Sequence, residues 1–195
     1  MGSHTASYQA EDLIQLFNQC FLQTYRTRLA ASEGEPLYLP AADPQGTHQI
    51  LFAYGYFRSA LHEISHWCIA GSARRLQEDY GYWYAPDGRT KAQQAAFARV
   101  EVNPQALELI LTTATGHPFC VSLDNLASPP TASEYQSFQL AVYQKAVAYL
   151  QTPTSLPARG ATFFHALCAH YQRQPTQVYQ QIVQALASIR HLSPP

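Results

Sequence analysis

Residues His62-Glu63-Ile64-Ser65-His66 put two histidines four positions apart, with a glutamate next to the first. The surrounding stretch from Phe57 to about Glu78 has helical spacing: Leu61, Ile64, Cys68 and Gly71 form one face. Four residues of α-helix turn about 400°, so the two imidazoles stand roughly 40° apart on one face, one turn from each other. Both ring nitrogens then reach one ion, with Glu63 at its edge. The apolar flanks Leu61, Ile64, Trp67 and Cys68 bury this helix, and buried histidines require partners. The chain must therefore fold so that a second element faces this helix and supplies those partners.

Two histidines call for a third ligand. No further histidine completes an extended motif after His66; the next along the chain is His117. The downstream carboxylates are Glu78, Asp79, Asp87, Glu101 and Glu108. Glu78 and Asp79 lie at helical distance from Arg74 and Arg75 and read as solvated ion-pair partners. Glu101 lies between Val100 and Val102, where a carboxylate faces inward. It is the favoured third ligand, with Glu108 in reserve. Two histidines and one carboxylate leave coordination positions open. With zinc, such a site activates water and Glu63 serves as general base, which is peptidase chemistry. With iron(II), the same face holds O₂ and substrate, which is oxygenase chemistry. The residues alone leave both open.

The rest of the chain reads as α+β, predominantly α-helical, with the metal-binding helix and a few short strands in a single domain over residues 1–195. Residues 1–6 read as a disordered terminus or expression scar, and 172–195 as a helical tail. Helices are expected over Glu11–Gln23, Lys91–Val100, Ser133–Leu150, Ala161–Tyr171 and Thr176–Ile189. Asn103-Pro104 resembles a new N-cap with proline at the first helical position, so a separate helix is expected from there to Thr115. His48–Tyr54 is a candidate buried strand or the lead-in to the next helix, Tyr80–Tyr84 and His117–Val121 are candidate strands, and Leu37–Leu39 is a short extended piece in a loop marked by glycine and proline.

Of the chain's residues 47% are hydrophobic and 13% charged, with a net charge of −1. That composition excludes intrinsic disorder and argues against a strongly basic nucleic-acid binder. No apolar run approaches the length of a membrane span, and the N-terminus has no signal-peptide pattern. The cysteines Cys20, Cys68, Cys120 and Cys168 are 48, 52 and 48 residues apart and form no CxxC pair. They read as reduced thiols in a cytoplasmic protein, three or four of them filling the core.

Tyr80, Tyr82, Trp83 and Tyr84 read either as a core strand or as the wall of a pocket for a long aliphatic side chain or a cation. Asp87, in Pro86-Asp87-Gly88-Arg89, reads as a turn-former or as a carboxylate facing an ammonium group. Arg58, Arg74 and Arg75 read as a solvated helix face.

Several longer strings resemble the elongation factor P hydroxylase family. They are Ala60 through Gly71 with Ala73-Arg74-Arg75, Asp79 through Tyr84 with Pro86-Asp87-Gly88-Arg89, and Val100-Glu101-Val102 with Pro104-Gln105-Ala106-Leu107. Pro36–Pro40, Pro118-Phe119 and Asp124-Asn125-Leu126 also fit, in matching order over about residues 8–171. The resemblance implies a non-heme iron monooxygenase that uses Fe(II) and O₂, unlike the usual 2-oxoglutarate oxygenases. Its substrate would be the modified, β-lysyl-bearing lysine of elongation factor P, with no direct nucleic-acid or membrane partner. The implied ligands are His62, His66 and Glu101, in a metal site of the zincin kind. The lysine stem would run along Tyr82, Trp83 or Tyr84, with Asp87 or Glu63 holding an amine. Glu63 is either catalytic or a group that orients water or the amine. A zinc metallopeptidase of the HExxH-plus-glutamate type is the alternative.

Overall fold

The computed structural model describes residues 8–78, 89–123, 129–152 and 154–192. Six helices and a small sheet follow in the order α1 (Ala10–Tyr25), β1 (Thr27–Ser32), β2 (Leu37–Leu39), β3 (His48–Ala53), α2 (Phe57–Ile69), α3 (Lys91–Thr115), α4 (Ala132–Gln151), α5 (Ala158–His170) and α6 (Pro175–Leu192). Mostly helical with a minor sheet is the class expected. Among the described residues no helix is long and apolar enough to cross a membrane.

The sheet order is β1-β3-β2. β1 pairs with β3 in parallel, Thr27 opposite His48 and Ser32 opposite Ala53. β2 pairs antiparallel to β3, with Leu37 opposite Leu51. Both β2 and β3 match the expectation. β1 does not announce itself, because Thr-Arg-Leu-Ala-Ala-Ser carries one large apolar residue, the buried Leu29. Arg26, in left-handed conformation (φ 45°), ends α1 and turns the chain into β1. Tyr54 and Gly55 (φ 50° and 69°) make the equally tight turn from β3 into α2.

α3 forms the axis of the helical part and packs against α2, α4, α5 and α6. Every residue from Pro104 to Thr115 is buried. A helix covered on all sides carries no one-sided apolar stripe, which is why its periodicity is weak in the sequence. The expected break at Asn103-Pro104 does not occur: one helix runs from Lys91 through Pro104 to Thr115. Proline cannot donate to the carbonyl four residues back, that of Val100. Burial of the three turns that follow outweighs the proline cost of about 3 kcal/mol.

Two further expectations are corrected. α2 stops at Ile69, and a bend and a 3-10 turn over Arg74–Leu76 follow, so Gly71 lies beyond the helical face. Residues 117–123 are irregular backbone, not a strand. Val183 of α6 faces solvent, while Val178, Ile182 and Leu186 are buried and join the tail to the common core. The cysteines are all free: Cys68 and Cys168 are buried, Cys20 is half-buried and Cys120 is exposed. The candidate strand Tyr80–Tyr84 lies outside the described residues.

Two features fix α2 in place. Trp67 packs with Phe17 and Phe21 of α1 at ring separations of 5.1 and 5.0 Å, and Phe17 meets Phe163 of α5 at 5.9 Å. At its C-terminal end, one guanidinium nitrogen of Arg159 donates to the carbonyls of Trp67 (2.8 Å), Cys68 (3.2 Å) and Ala70 (2.6 Å). These are the orphan acceptors of a helix terminus, and a cation is favoured there.

Candidate metal centre

The centre forms between α2 and α3. His62 and His66 project from one face of α2, as their spacing requires. Facing them on α3 are Glu101, Gln105 and Glu108, at i, i+4 and i+7, hence on one stripe. Both stripes are polar islands in an otherwise apolar interface: Ile64 of α2 and Leu107 and Leu111 of α3 are fully buried.

The Nε2 atoms of His62 and His66 are 3.0 Å apart. His66 Nε2 is 3.4 Å from Glu101 Oε1, and His62 Nε2 is 3.9 Å from Glu101 Oε2. One donor atom from each of these three residues lies within 4.8 Å of the others. Ligands about 2.1 Å from an ion are separated by roughly 3.0 to 3.4 Å around its octahedral or tetrahedral edges, a range that holds two of the three separations, with the His62–Glu101 pair wider at 3.9 Å. The chemistry of the donor set agrees. His62 directs Nδ1 to Glu108 Oε2 at 2.8 Å, which fixes Nδ1 as the donor and leaves Nε2 pointing at the other two groups.

Burial disfavours charge on His62, but the carboxylates of Glu108, Glu101 and Glu63 outweigh it and push its pKa up to about 10 in the metal-free chain. Burial of Glu101 is likewise outweighed, by the imidazoles of His66 and His62 and a hydrogen bond from Gln105, which bring it down to about 2. Glu63 behaves the opposite way: its burial raises the carboxyl above its usual value, more than the two imidazoles lower it. Glu101 is therefore a ready anionic ligand, while burial works against the charged form of Glu63.

A cavity of about 240 Å³ opens beside the triad, lined among others by Glu63, His66, Glu101, Tyr38, Arg75 and Pro104. Arg75 is half-buried there, not fully solvated; Tyr38 donates its hydroxyl to the Arg75 carbonyl at 3.0 Å. Arg58 is also engaged, donating to the Cys120 carbonyl at 2.9 Å.

His62, His66 and Glu101 thus come together, and Glu63 lines the adjoining cavity. Glu108, the reserve ligand, holds the far side of His62 instead. Tyr82, Trp83, Tyr84 and Asp87 lie outside the described residues. Gln105 escaped the sequence reading. The available signal was its place one turn beyond Glu101, a polar residue followed by apolar neighbours.

The chain was compared with known proteins. The family profile described as Elongation factor P hydroxylase matches residues 16–181. That match passes residue 171, where the resemblance ended, and enters α6. A curated protein of Haemophilus influenzae named Elongation factor P lysine hydroxylase is 47% identical over 167 residues, covering 86% of this chain and 92% of the relative. A profile match over most of the chain and identity at that level are both well beyond chance likeness, and this chain belongs to the elongation factor P hydroxylase family.

Proposed function

We propose that this protein is a metal- and O₂-dependent monooxygenase that hydroxylates a lysine of translation elongation factor P, with His62, His66 and Glu101 as the ligands. The observation that carries the reading is the convergence of these three donors beside a cavity, in a chain 47% identical to a protein named for that activity. Two imidazoles and one carboxylate suit iron(II) and leave positions free for O₂ and substrate. Iron(II) bound there supplies O₂ activation and the oxidation of a C–H bond, for which the side chains have no equivalent. The substrate is the lysine already carrying a β-lysyl group, and acting on a translation factor belongs to the cytoplasm.

The residues around the ion have separate tasks. Glu108 holds His62 in one tautomer. Glu63, at the cavity wall, holds an amine of the substrate by a charge-assisted hydrogen bond. Tyr82, Trp83, Tyr84 and Asp87 are assigned to the lysine stem and its ammonium group from their chemistry and the family likeness. The zinc peptidase remains the second reading, because Glu63 lines the cavity next to the ligands where a general base for water would be needed.

Mass spectrometry of elongation factor P, purified from cells with and without this gene, tests the proposal. The expected result is one added oxygen atom on the peptide with the modified lysine, absent when His62→Ala or Glu101→Ala replaces the wild type. No added oxygen from folded, iron-loaded protein sinks the hydroxylase reading. The Glu63→Gln variant separates the two chemistries: a peptidase loses all activity, whereas the hydroxylase is only weakened.

A further inference from the structure

Gln105 is 1% exposed and lies one turn beyond Glu101 on α3. Its amide nitrogen donates to the Ser122 carbonyl at 2.7 Å and to Glu101 Oε2 at 3.3 Å, and its amide oxygen accepts the Ser122 N–H at 2.9 Å. A primary amide has two N–H protons, and both are committed here. The Ser122 backbone presents a donor and an acceptor together, so it accepts the amide in one orientation. Flipped, the amide would oppose N–H to N–H and oxygen to oxygen. The second N–H is thereby aimed at Glu101.

From this geometry we infer that Gln105 is a positioning residue for the metal centre. It ties Glu101 Oε2, the oxygen 3.9 Å from His62 Nε2, to the Ser122 backbone and leaves Oε1 turned toward His66 at 3.4 Å. Glu101 then offers the ion one oxygen, and the remaining positions stay open. The inference rests on the metal-centre reading above. A dangling carboxylate would rotate, bind through both oxygens or swing out of reach, and each loosens the site. Losing such an outer partner lowers metal affinity by about 10- to 100-fold.

The same backbone segment has a second anchor, which serves as a control. Gln94, on α3, donates to the Leu123 carbonyl at 3.0 Å, and no hydrogen bond joins it to Glu101. A purely structural role for Gln105 would make the two glutamines equivalent.

The experiment is cobalt(II) titration of the full chain, following visible absorption, which reports coordination geometry. Gln105→Met is expected to bind cobalt(II) about 10- to 100-fold more weakly with an altered spectrum. Gln94→Met is expected to lower the melting temperature and leave both affinity and spectrum as in the wild type. Wild-type affinity and spectrum in Gln105→Met overturn the inference, as does an equal weakening in Gln94→Met. If the wild type binds no better than His62→Ala, the metal centre itself fails, and the Gln105 role with it. Should Gln105→Met not fold, amide exchange in the wild type decides. Cobalt(II) should slow exchange at the Ser122 N–H through Glu101 and Gln105, and unchanged exchange there overturns the role.

Discussion

At the scale of single residues, the centre turns on how a carboxylate and an imidazole set each other's charge. His62 keeps its proton up to about pH 10 without metal, because Glu108, Glu101 and Glu63 surround it. An ion must displace that proton from Nε2, while Nδ1–H stays on Glu108. Metal uptake at pH 7 is therefore expected to release about one proton, and affinity to rise with pH until His62 is neutral. Calorimetric titration in buffers of different ionisation enthalpy measures this directly; a heat independent of buffer contradicts it. Glu108→Ala removes the Nδ1 acceptor and is expected to weaken metal binding by about 10-fold or more, with the fold intact. His62, His66 and Glu101 were legible because their chemistry depends on residue type and local spacing. Glu108 was legible as a carboxylate of interest and not as the partner of His62, since that role depends on where α3 lies against α2.

At the scale of elements, α2 and α3 make the site because each is locked from behind. Arg159 closes the end of α2 through three carbonyls, and its guanidinium lies 4.6 Å from the centre of the Trp67 ring. Arg159→Leu is expected to lower stability by about 1.5 to 3 kcal/mol, the range for hydrogen bonds from a charged donor. Chemical denaturation checks this, and a loss within error would mean that water caps the helix equally well. The same variant should weaken metal binding less than Glu108→Ala does, since it touches no ligand. α5 also approaches α3 closely: a Cβ at Gly160 would be 3.1 Å from both Leu107 methyl carbons. Helices α1, α4 and α6 were readable from their apolar periodicity. The unbroken α3 was not. Local rules for proline favour a break, and only packing on every side of the following turns overrides them.

At the scale of the whole molecule, a metal held by this triad would link binding to folding, since the histidines and Glu101 lie on different helices, at least 35 positions apart in the chain. Metal at about 100 times its dissociation constant should stabilise the fold by about 2.7 kcal/mol, and chelation should remove that gain. A melting temperature indifferent to iron(II), zinc(II) and chelator would count against the site. Without metal, the pH dependence has two edges. The raised pKa of His62 adds stability that is complete below pH 6.5 and is lost as pH rises toward about 10. The lowered pKa of Glu101 adds stability present above pH 4.5 and lost as pH falls toward about 2. Thermal melts across pH should therefore show the metal-free protein weakening at both extremes.

The sequence by itself determined the helical class, the paired histidines on one helix face and the inward-facing Glu101. Periodicity and residue chemistry are local properties, and they act over one or two turns. Tertiary structure alone decided the rest. It chose the α3 stripe that meets the histidines, turned Glu108 from a reserve ligand into the partner of His62, and set Gln105 between Glu101 and Ser122. Apart from the one-turn step from Glu101 to Gln105, these contacts join residues from 17 to 46 positions apart, and no local pattern encodes which side chains a packed interface will bring within hydrogen-bonding distance.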